Sequence, residues 1–339
     1  MERRSLGGAG FDVSTLALGT MMFGAWGNPD IAECTEMVDV ALDAGITTFD
    51  TADIYDFGRS EEILGEALRG RRAGVRIATK FGNMMGDDPS RRGGSARWVR
   101  QAVDGSLRRL QVDHIDLYQM HRPDPDVDIS ETLGALDELV IAGKVGAVGT
   151  SCFPPELIVE SHWAAERQGV NAPRCEQPPY SVFCRGVERA VLPTCRKYGM
   201  GVMVWAPLNG GWLTGKYRDA AEAPDGSRAQ RQPHHFDHGG PWQARKMDLV
   251  EQLASIADHA GVSLTGLALG FVLAHPSVSA ALIGPRTPAQ LRDLVTAGQT
   301  RLDDATLAAI DAAVAPGSDI NPADAGYTPA ALDPTRLRG

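Results

Sequence analysis

The chain has 339 residues, of which 43% are apolar and 22% charged, and its formal net charge is −10. This length and composition allow a large hydrophobic core that needs neither disulfides nor a metal. The negative charge argues against a sequence-independent grip on nucleic acid or on an anionic membrane surface. The five cysteines form no C-x-x-C pair and are odd in number. We therefore expect reduced thiols in a cytoplasmic protein.

The N-terminus, MERRSLGGAGF, is basic but is not followed by an apolar run, which argues against a signal peptide. No apolar run approaches the ~20 residues that span a bilayer, so we expect no membrane partner.

Short apolar runs alternate with longer amphipathic stretches along the chain. Asp30 is placed to cap the first helix, and Gly45 ends it. The predicted strands are 16–19, 47–50, 75–80, 115–121, 145–151, 174–177, 202–206 and 280–284. The predicted helices are 30–44, 95–111, 130–143, 154–168, 187–199, 247–260, 263–275, 288–298 and 303–314.

Alternating strands and helices predict parallel βαβ units, arranged as a doubly wound sheet or a closed barrel. Two features favour the barrel: no G-x-G-x-x-G follows the first strand, and eight units occur without a break in composition. The fold class is therefore α/β, a single (β/α)₈ TIM barrel over residues 1–339.

Three segments lie outside this alternation. The turn Gly7-Gly8-Ala9-Gly10 predicts an N-terminal β-hairpin at the barrel floor. The polar stretch 218–242, after the seventh strand, predicts a long active-site loop. The tail 316–339, with four prolines, predicts irregular structure.

Polar side chains stand at the ends of three consecutive predicted strands. The second strand runs into FDTADIY, with Asp50 and Tyr55; the third ends in ATKFG, with Lys80; the fourth ends in YQMHRP, with His121. Active-site groups of such barrels lie at the carboxyl ends of the strands, and adjacent strands are about 4.8 Å apart. We therefore expect these four side chains to converge at the barrel mouth.

These residue types together suit acid catalysis at a carbonyl. A tyrosine with a pKa of about 10 is a poor acid at neutral pH, and a nearby ammonium lowers that pKa by stabilising the tyrosinate. A carboxylate keeps the lysine charged, and a histidine donates a hydrogen bond to the carbonyl oxygen. The set would protonate a carbonyl while hydride arrives from a cofactor. Each residue alone has a structural explanation, so the prediction rests on their joint placement.

The motifs FDTADIY, TKFG, DLYQMHRPD, GKVGAVGTS, WAPLNGGWLTGKY and LIGPRTPAQL resemble those of the aldo-keto reductase family, from about residue 3 to residue 315. The sequence is most similar to the bacterial aryl-alcohol-dehydrogenase-like branch, which includes the potassium-channel β-subunits. The resemblance implies a barrel that binds an extended nicotinamide cofactor without a Rossmann domain. It implies that Tyr55 is the general acid, Lys80 lowers the pKa of Tyr55, Asp50 pairs with Lys80, and His121 orients the carbonyl.

The resemblance also implies cofactor contacts in three groups. The nicotinamide end would meet Gly19, Thr20, Met21, Asp50, Ser151, Cys152, Gln177 and, by stacking, Trp205. The pyrophosphate would lie along Ala206, Pro207, Leu208, Asn209, Gly210 and Lys216, where small residues let backbone N–H groups approach. The adenosine end would meet Gly284, Arg286, Gln290 and Asp293. Because a guanidinium binds phosphate bidentately, Arg286 favours NADPH, with its 2′-phosphate, over NADH.

Three positions depart from the family's common pattern. Cys152 and Leu294 stand where Asn is frequent, and Ala206 stands where Ser is frequent. The cofactor half of the site is therefore less regular than the catalytic half.

The substrate is a small carbonyl compound or alcohol whose identity the sequence leaves open. Its predicted pocket is apolar and aromatic: Met22, Trp26, Tyr55, Met84, His121 and Trp212. Four arginines would equally suit an anionic substrate: Arg91, Arg92, Arg122 and Arg228.

Three functions compete at this point. The first is an NADPH-dependent carbonyl reductase, or the reverse dehydrogenase, for which a homo-oligomer is one expected state. The second is a non-catalytic or regulatory NADPH-binding subunit. The third, a metal-dependent hydrolase, is disfavoured because His121 and Asp50 are too sparse for a metal site at the strand ends. The cluster His234, His235, Asp237 and His238 has no stable element to set its geometry and no flanking cysteine, so we expect a solvated or substrate-facing loop there. We predict no metal site.

Overall fold

A short antiparallel hairpin begins the chain in the computed structural model, which describes residues 1–218, 227–231 and 240–329. Strand β1 (Arg3–Ser5) pairs with β2 (Asp12–Ser14), which confirms the predicted hairpin. Leu6 and Val13 are buried against side chains inside the barrel. Gly7 has a φ of +54°, and a Cβ there would lie 2.3 Å from the Gly201 nitrogen, so only glycine fits this close approach.

Eight parallel strands close into a barrel above this hairpin, which confirms the predicted (β/α)₈ fold. The barrel closes where the last strand pairs with the first, with Leu282 opposite Ala17. The strands are β3 (Leu16–Gly19), β4 (Thr48–Asp50), β5 (Arg76–Phe81), β6 (Ile115–Met120), β7 (Val145–Ser151), β8 (Cys175–Gln177), β9 (Gly201–Val204) and β10 (Ala280–Ile283).

Helices surround the barrel and cover its outer face with a continuous apolar cluster. Asp30 caps the first helix as predicted, by accepting hydrogen bonds from the backbone nitrogens of Ala32 and Glu33. The helices are α1 (Ile31–Asp43), α2 (Arg59–Ala67), α3 (Ala96–Leu110), α4 (Ile129–Ile141), α5 (Pro155–Gln168), α6 (Val191–Lys197), α7 (Arg228–Arg231), α8 (Pro241–His259), α9 (Leu264–Ala274), α10 (Pro288–Ala297) and α11 (Asp304–Ala313).

Helix α2 is missing from the sequence-based prediction. A glycine inside a helix costs about 1 kcal/mol relative to alanine, so Gly65 weakens the helical pattern. The fold needs a glycine there, since a Cβ on Gly65 would lie 2.5 Å from the Leu110 carbonyl oxygen at the end of α3. Close packing of α2 on α3 thus outweighs the low helix propensity.

Only residues 218, 227–231 and 240–242 of the predicted long loop are described. They contain α7 and the start of α8, which begins at Pro241 rather than at residue 247 because proline suits a first helical turn. The cluster His234, His235, Asp237 and His238 lies outside the described residues.

The described part of the tail, residues 316–329, packs on the barrel through backbone hydrogen bonds. The backbone nitrogen of Ile320 donates to the Phe183 carbonyl, and that of Arg185 donates to the Ser318 carbonyl. A 3₁₀ turn, Pro322–Ala325, follows. These contacts hold the tail on the segment that follows β8.

Within the described ranges, no single helix is long and apolar enough to cross a membrane; α8 and α9 pass that test only as a pair, bent by 87°.

Candidate active site

A buried ion pair lies at the carboxyl ends of β4 and β5. The Lys80 ammonium lies 2.5 Å from Oδ1 of Asp50 and also donates to the Thr51 carbonyl at 2.8 Å. Both side chains are almost completely buried. Burial lowers the pKa of Lys80, but the charges of Asp50 and Tyr55 and their hydrogen bonds outweigh burial and raise it overall. The lysine is therefore an ammonium at neutral pH.

Tyr55 completes a chain of hydrogen bonds with this pair. It opens a 3₁₀ turn, Tyr55–Gly58, in which Asp56 and Phe57 adopt positive φ angles. The Asp56 carboxylate accepts a hydrogen bond from the Ala25 nitrogen, which ties this turn to the loop after β3. The turn brings the phenol oxygen to 3.3 Å from the Lys80 ammonium.

His121 lies directly after β6, with its ring centroid 5.8 Å from that of Tyr55. Burial, together with the charges of Lys80 and Arg122, holds the pKa of His121 well below its usual range. The ring is therefore neutral at neutral pH and carries one proton. The structure thus brings Asp50, Tyr55, Lys80 and His121 together, as the strand ends predicted.

Three further polar residues contact this cluster, and the sequence predicted only one of them, Gln177. Gln177, expected as a cofactor contact, donates from Nε2 to Oδ2 of Asp50 at 2.8 Å. Gln119 approaches the same oxygen at 3.5 Å, and the Asn83 amide nitrogen lies 3.2 Å from Nδ1 of His121. Gln119 could have been found, since it precedes His121 by two residues and side chains two apart share a face of a strand.

Four of the residues expected at the nicotinamide end, Ser151, Cys152, Gln177 and Trp205, lie on the wall formed by the ends of β7, β8 and β9. Ser151 ends β7, and its hydroxyl donates to the Gln177 carbonyl at 2.8 Å. Trp205 follows β9, and the Arg122 guanidinium lies 5.9 Å from the centre of its ring. Cys152 and Ala206, which depart from the family pattern, both have positive φ angles of 57° and 54°.

The remaining predicted cofactor residues form two segments of the rim. Asn209 and Gly210 belong to a 3₁₀ segment, Asn209–Thr214, directly after Ala206, Pro207 and Leu208. Gly284 follows β10, and the Arg286 nitrogen donates to the Gln290 side chain at 2.9 Å where α10 begins. Thr20 is turned inward, because its hydroxyl lies 2.9 Å from that of Ser60. Met21 is half-buried, and Asp293 is exposed on α10.

The positive charges of Arg228, Arg231 and Arg286 act on Lys216, which lies beside the first of these segments. Burial lowers the pKa of Lys216, and the charges of Arg286, Arg231 and Arg228 lower it further. Burial also lowers the pKa of Arg231, and the charges of Arg286 and Arg228 lower it further. Of these, Arg228 and Arg231 were not predicted to meet a cofactor, since no regular pattern located α7. Such a concentration of positive charge fits a phosphate-bearing ligand.

The structure brings only some of the predicted substrate-pocket residues close to Tyr55. Trp26 stands 6.4 Å from Tyr55 between ring centroids, and Met22 is buried beneath the Arg231 guanidinium. Met84 is 46% exposed. Trp212 is instead buried in the outer apolar cluster, against Tyr217. The structure therefore places Trp212 in packing behind the rim.

The tail adds a wall that the sequence did not predict. Asp324 accepts hydrogen bonds from Lys246 at 2.7 Å and from the Asn209 amide at 2.9 Å. A Cβ on Gly326 would lie 2.4 Å from a ring carbon of Trp205, so the tail backbone packs directly on that ring. The tail is thereby fixed beside two residues expected to meet the cofactor.

Among the described residues, no group of three or more His, Cys, Asp and Glu side chains could hold a metal ion. The five cysteines are buried and unbridged.

The sequence profile described as "Aldo/keto reductase family" matches residues 15–315, which span the whole barrel. The chain belongs to this family. Three relatives in the family are similar over nearly their whole length. The "Uncharacterized oxidoreductase YrpG" of Bacillus subtilis (strain 168) is 37% identical, covering 98% of this chain and 99% of the relative.

The other two relatives carry different names. The "Aldo-keto reductase YhdN" of the same strain is 36% identical, covering 87% of this chain and 88% of the relative. The "Probable voltage-gated potassium channel subunit beta" of Arabidopsis thaliana is 34% identical, covering 86% of this chain and 90% of the relative. Membership in the family supports an oxidoreductase acting on carbonyl groups, with a small-molecule substrate.

Proposed function

We propose that this protein is an NADPH-dependent oxidoreductase that reduces an aldehyde or ketone to an alcohol, or catalyses the reverse reaction. The observation that carries the proposal is the hydrogen-bonded chain from Asp50 through Lys80 to the Tyr55 hydroxyl, beside a neutral His121. When bound, reduced nicotinamide supplies the hydride.

Tyr55 is the proton donor in this proposal. As its proton moves to the carbonyl oxygen, negative charge develops on the phenol oxygen, 3.3 Å from the Lys80 ammonium. The ammonium stabilises that charge, and Asp50 holds the ammonium in place at 2.5 Å. Water is scarce around the pair because both side chains are buried, which strengthens the interaction.

His121 orients the carbonyl. A neutral imidazole carries one N–H, which can donate to the carbonyl oxygen beside the Tyr55 hydroxyl. The two donors would then polarise the carbonyl from two sides.

The rim residues would hold the cofactor. Ser151 and Gln177 offer polar groups to a carboxamide, and Trp205 offers a ring for stacking. Lys216 and the arginines around it suit phosphates, and Arg286 supports NADPH over NADH by offering a fork of donors to a 2′-phosphate.

A substrate panel tests the proposal. The purified protein would be mixed with NADPH or NADH and with 4-nitrobenzaldehyde, methylglyoxal or 9,10-phenanthrenequinone, and cofactor oxidation followed by absorbance. We expect turnover with at least one carbonyl and a lower KM for NADPH than for NADH. Tight NADPH binding without turnover of any carbonyl would contradict it.

A second candidate is a regulatory NADPH-binding subunit. It is favoured by the similarity to relatives of Arabidopsis thaliana and Oryza sativa subsp. japonica that are both named "Probable voltage-gated potassium channel subunit beta". Tight NADPH binding without turnover in the panel would support this second function.

A further inference from the structure

The Asn83 side chain makes a direct contact with the ring of His121. Its amide nitrogen Nδ2 lies 3.2 Å from Nδ1 of His121. Asn83 follows β5 by two residues, in the loop where the chain leaves the barrel beside β6. The backbone of His121 is fixed as well: its nitrogen donates to the Phe81 carbonyl at 2.8 Å, and its carbonyl accepts from the Arg122 guanidinium at 2.6 Å. Backbone and ring are thus held independently.

An amide nitrogen can only donate a hydrogen bond, so Nδ1 of His121 must accept it. An accepting ring nitrogen carries no proton. The ring is neutral, so its single proton lies on Nε2, on the opposite edge of the ring. Among the described residues Nε2 has no hydrogen-bond partner, which leaves this N–H free to donate.

We propose that Asn83 is a positioning residue that keeps the proton of His121 on Nε2, the nitrogen that donates to the substrate carbonyl. This inference rests on the proposed function, because it assigns Asn83 a part in orienting the carbonyl. If the proton lay on Nδ1, Nε2 would present a lone pair to the carbonyl oxygen and would repel it.

The charges around the ring agree with this role. The positive charges that act on His121 are those of Lys80 and Arg122, and the Tyr55 ring lies against its edge. Neither of the two cations can accept a hydrogen bond from Nδ1. An aspartate in place of Asn83 would do so, because a carboxylate only accepts hydrogen bonds at neutral pH.

The test compares Asn83→Asp and Asn83→Leu with the unaltered protein. The full chain, labelled with ¹⁵N-histidine and saturated with NADP⁺, would be examined by long-range ¹H–¹⁵N correlation, with His121 assigned by the loss of its signals in His121→Asn. We expect protonated Nε2 and unprotonated Nδ1 in the unaltered protein at neutral pH. In Asn83→Asp the proton moves to Nδ1 and the pKa of His121 rises, since a carboxylate favours the imidazolium.

Kinetics supply the second measurement. We expect kcat at neutral pH to fall by about tenfold or more in Asn83→Asp and by less in Asn83→Leu, while the KM for NADPH stays nearly constant. Asp87→Asn, an exposed change in the same loop, controls for loop disturbance and should match the unaltered protein.

Two outcomes would overturn the inference. The first is a proton on Nδ1 in the unaltered protein, or the same ring state in Asn83→Asp. The second is a shifted ring proton with unchanged kcat. Failure of the proposed function would look different, since the unaltered protein would then reduce no carbonyl although Asn83 still set the ring proton.

Discussion

Gln177 donates a hydrogen bond to Asp50 across the interior of the barrel, from β8 to β4, over 2.8 Å. These strands are separated by three others in either direction around the barrel. The bond therefore joins opposite walls beneath the mouth. It occupies one amide proton of a residue that we expect at the nicotinamide, and so links the cofactor half of the site to the ion pair.

Replacing Gln177 with Leu should lower the stability of the fold and weaken NADPH binding. Oδ2 of buried Asp50 would keep only the longer contact with Gln119, and losing a partner of a buried charged group costs about 1–3 kcal/mol. We expect a lower midpoint in urea unfolding and a higher KM for NADPH in the same variant. A rise in KM at unchanged stability would show that Gln177 does not support Asp50.

The cationic cluster predicts how cofactor preference changes. Arg286→Met removes the guanidinium expected at the 2′-phosphate, and hydrogen bonds to charged groups contribute about 1.5–3 kcal/mol. We expect kcat/KM for NADPH to fall about 10–100-fold while kcat/KM for NADH changes little. Arg292→Met is the matched control, because Arg292 lies six residues further along the chain, on α10, in an exposed pair with Glu36. Equal losses with both cofactors would refute the assignment.

Glu176 predicts a pH dependence of stability. It is fully buried on β8, accepts hydrogen bonds from Thr150 and the Phe153 nitrogen, and burial raises its pKa to about 7. A carboxyl whose pKa is raised in the folded state stabilises the fold below its unfolded pKa. That contribution is lost as pH rises from about 4.5 to about 7.

Glu176→Gln should therefore gain stability relative to the unaltered protein as pH rises through this window, by at most about 3 kcal/mol. Urea unfolding across the window measures the difference. Glu160→Gln, an exposed change on α5, should show no such trend. A constant difference between Glu176→Gln and the unaltered protein would mean that Glu176 titrates normally.

Lys246 predicts that the tail stabilises the rim. Its ammonium bonds both Asn209 and Asp324 at 2.7 Å, with the lysine almost fully buried. Lys246→Met leaves both acceptors short of a donor, so we expect a loss of about 1–3 kcal/mol in unfolding free energy and weaker NADPH binding. Lys144→Met, which breaks an exposed pair with Asp104, should cost much less. Similar losses in the two variants would argue against a special role for the tail.

Periodicity and strand ends explain why so much of the barrel was predictable. Each barrel strand is a short buried run, and all eight predicted runs coincide with observed strands to within two residues at either end. Asp50, Lys80 and His121 meet because parallel strands bring their carboxyl ends to one edge, a consequence of topology alone. Helix α2 was not predicted because Gly65 interrupts its helical pattern. A glycine is needed at this position because α2 packs closely on α3.

The contacts made by loops could not be predicted in the same way. Asn83 meets His121 through the path of an irregular loop, and Asp324 reaches Asn209 from 115 residues away in sequence. Neither contact follows from a repeating pattern. Trp212 is a different case, because an aromatic residue beside a rim motif suits a pocket or the core equally, and here it packs against Tyr217 in the outer apolar cluster.

The Tyr55→Phe variant tests the central claim most directly, since it removes only the hydroxyl that lies 3.3 Å from the Lys80 ammonium. NADPH oxidation with the best carbonyl of the panel would be compared between this variant and the unaltered protein, and NADPH binding measured by quenching of protein fluorescence. The account predicts a fall in kcat of about 10²–10⁴-fold with nearly unchanged NADPH affinity. Undiminished kcat in Tyr55→Phe would contradict it.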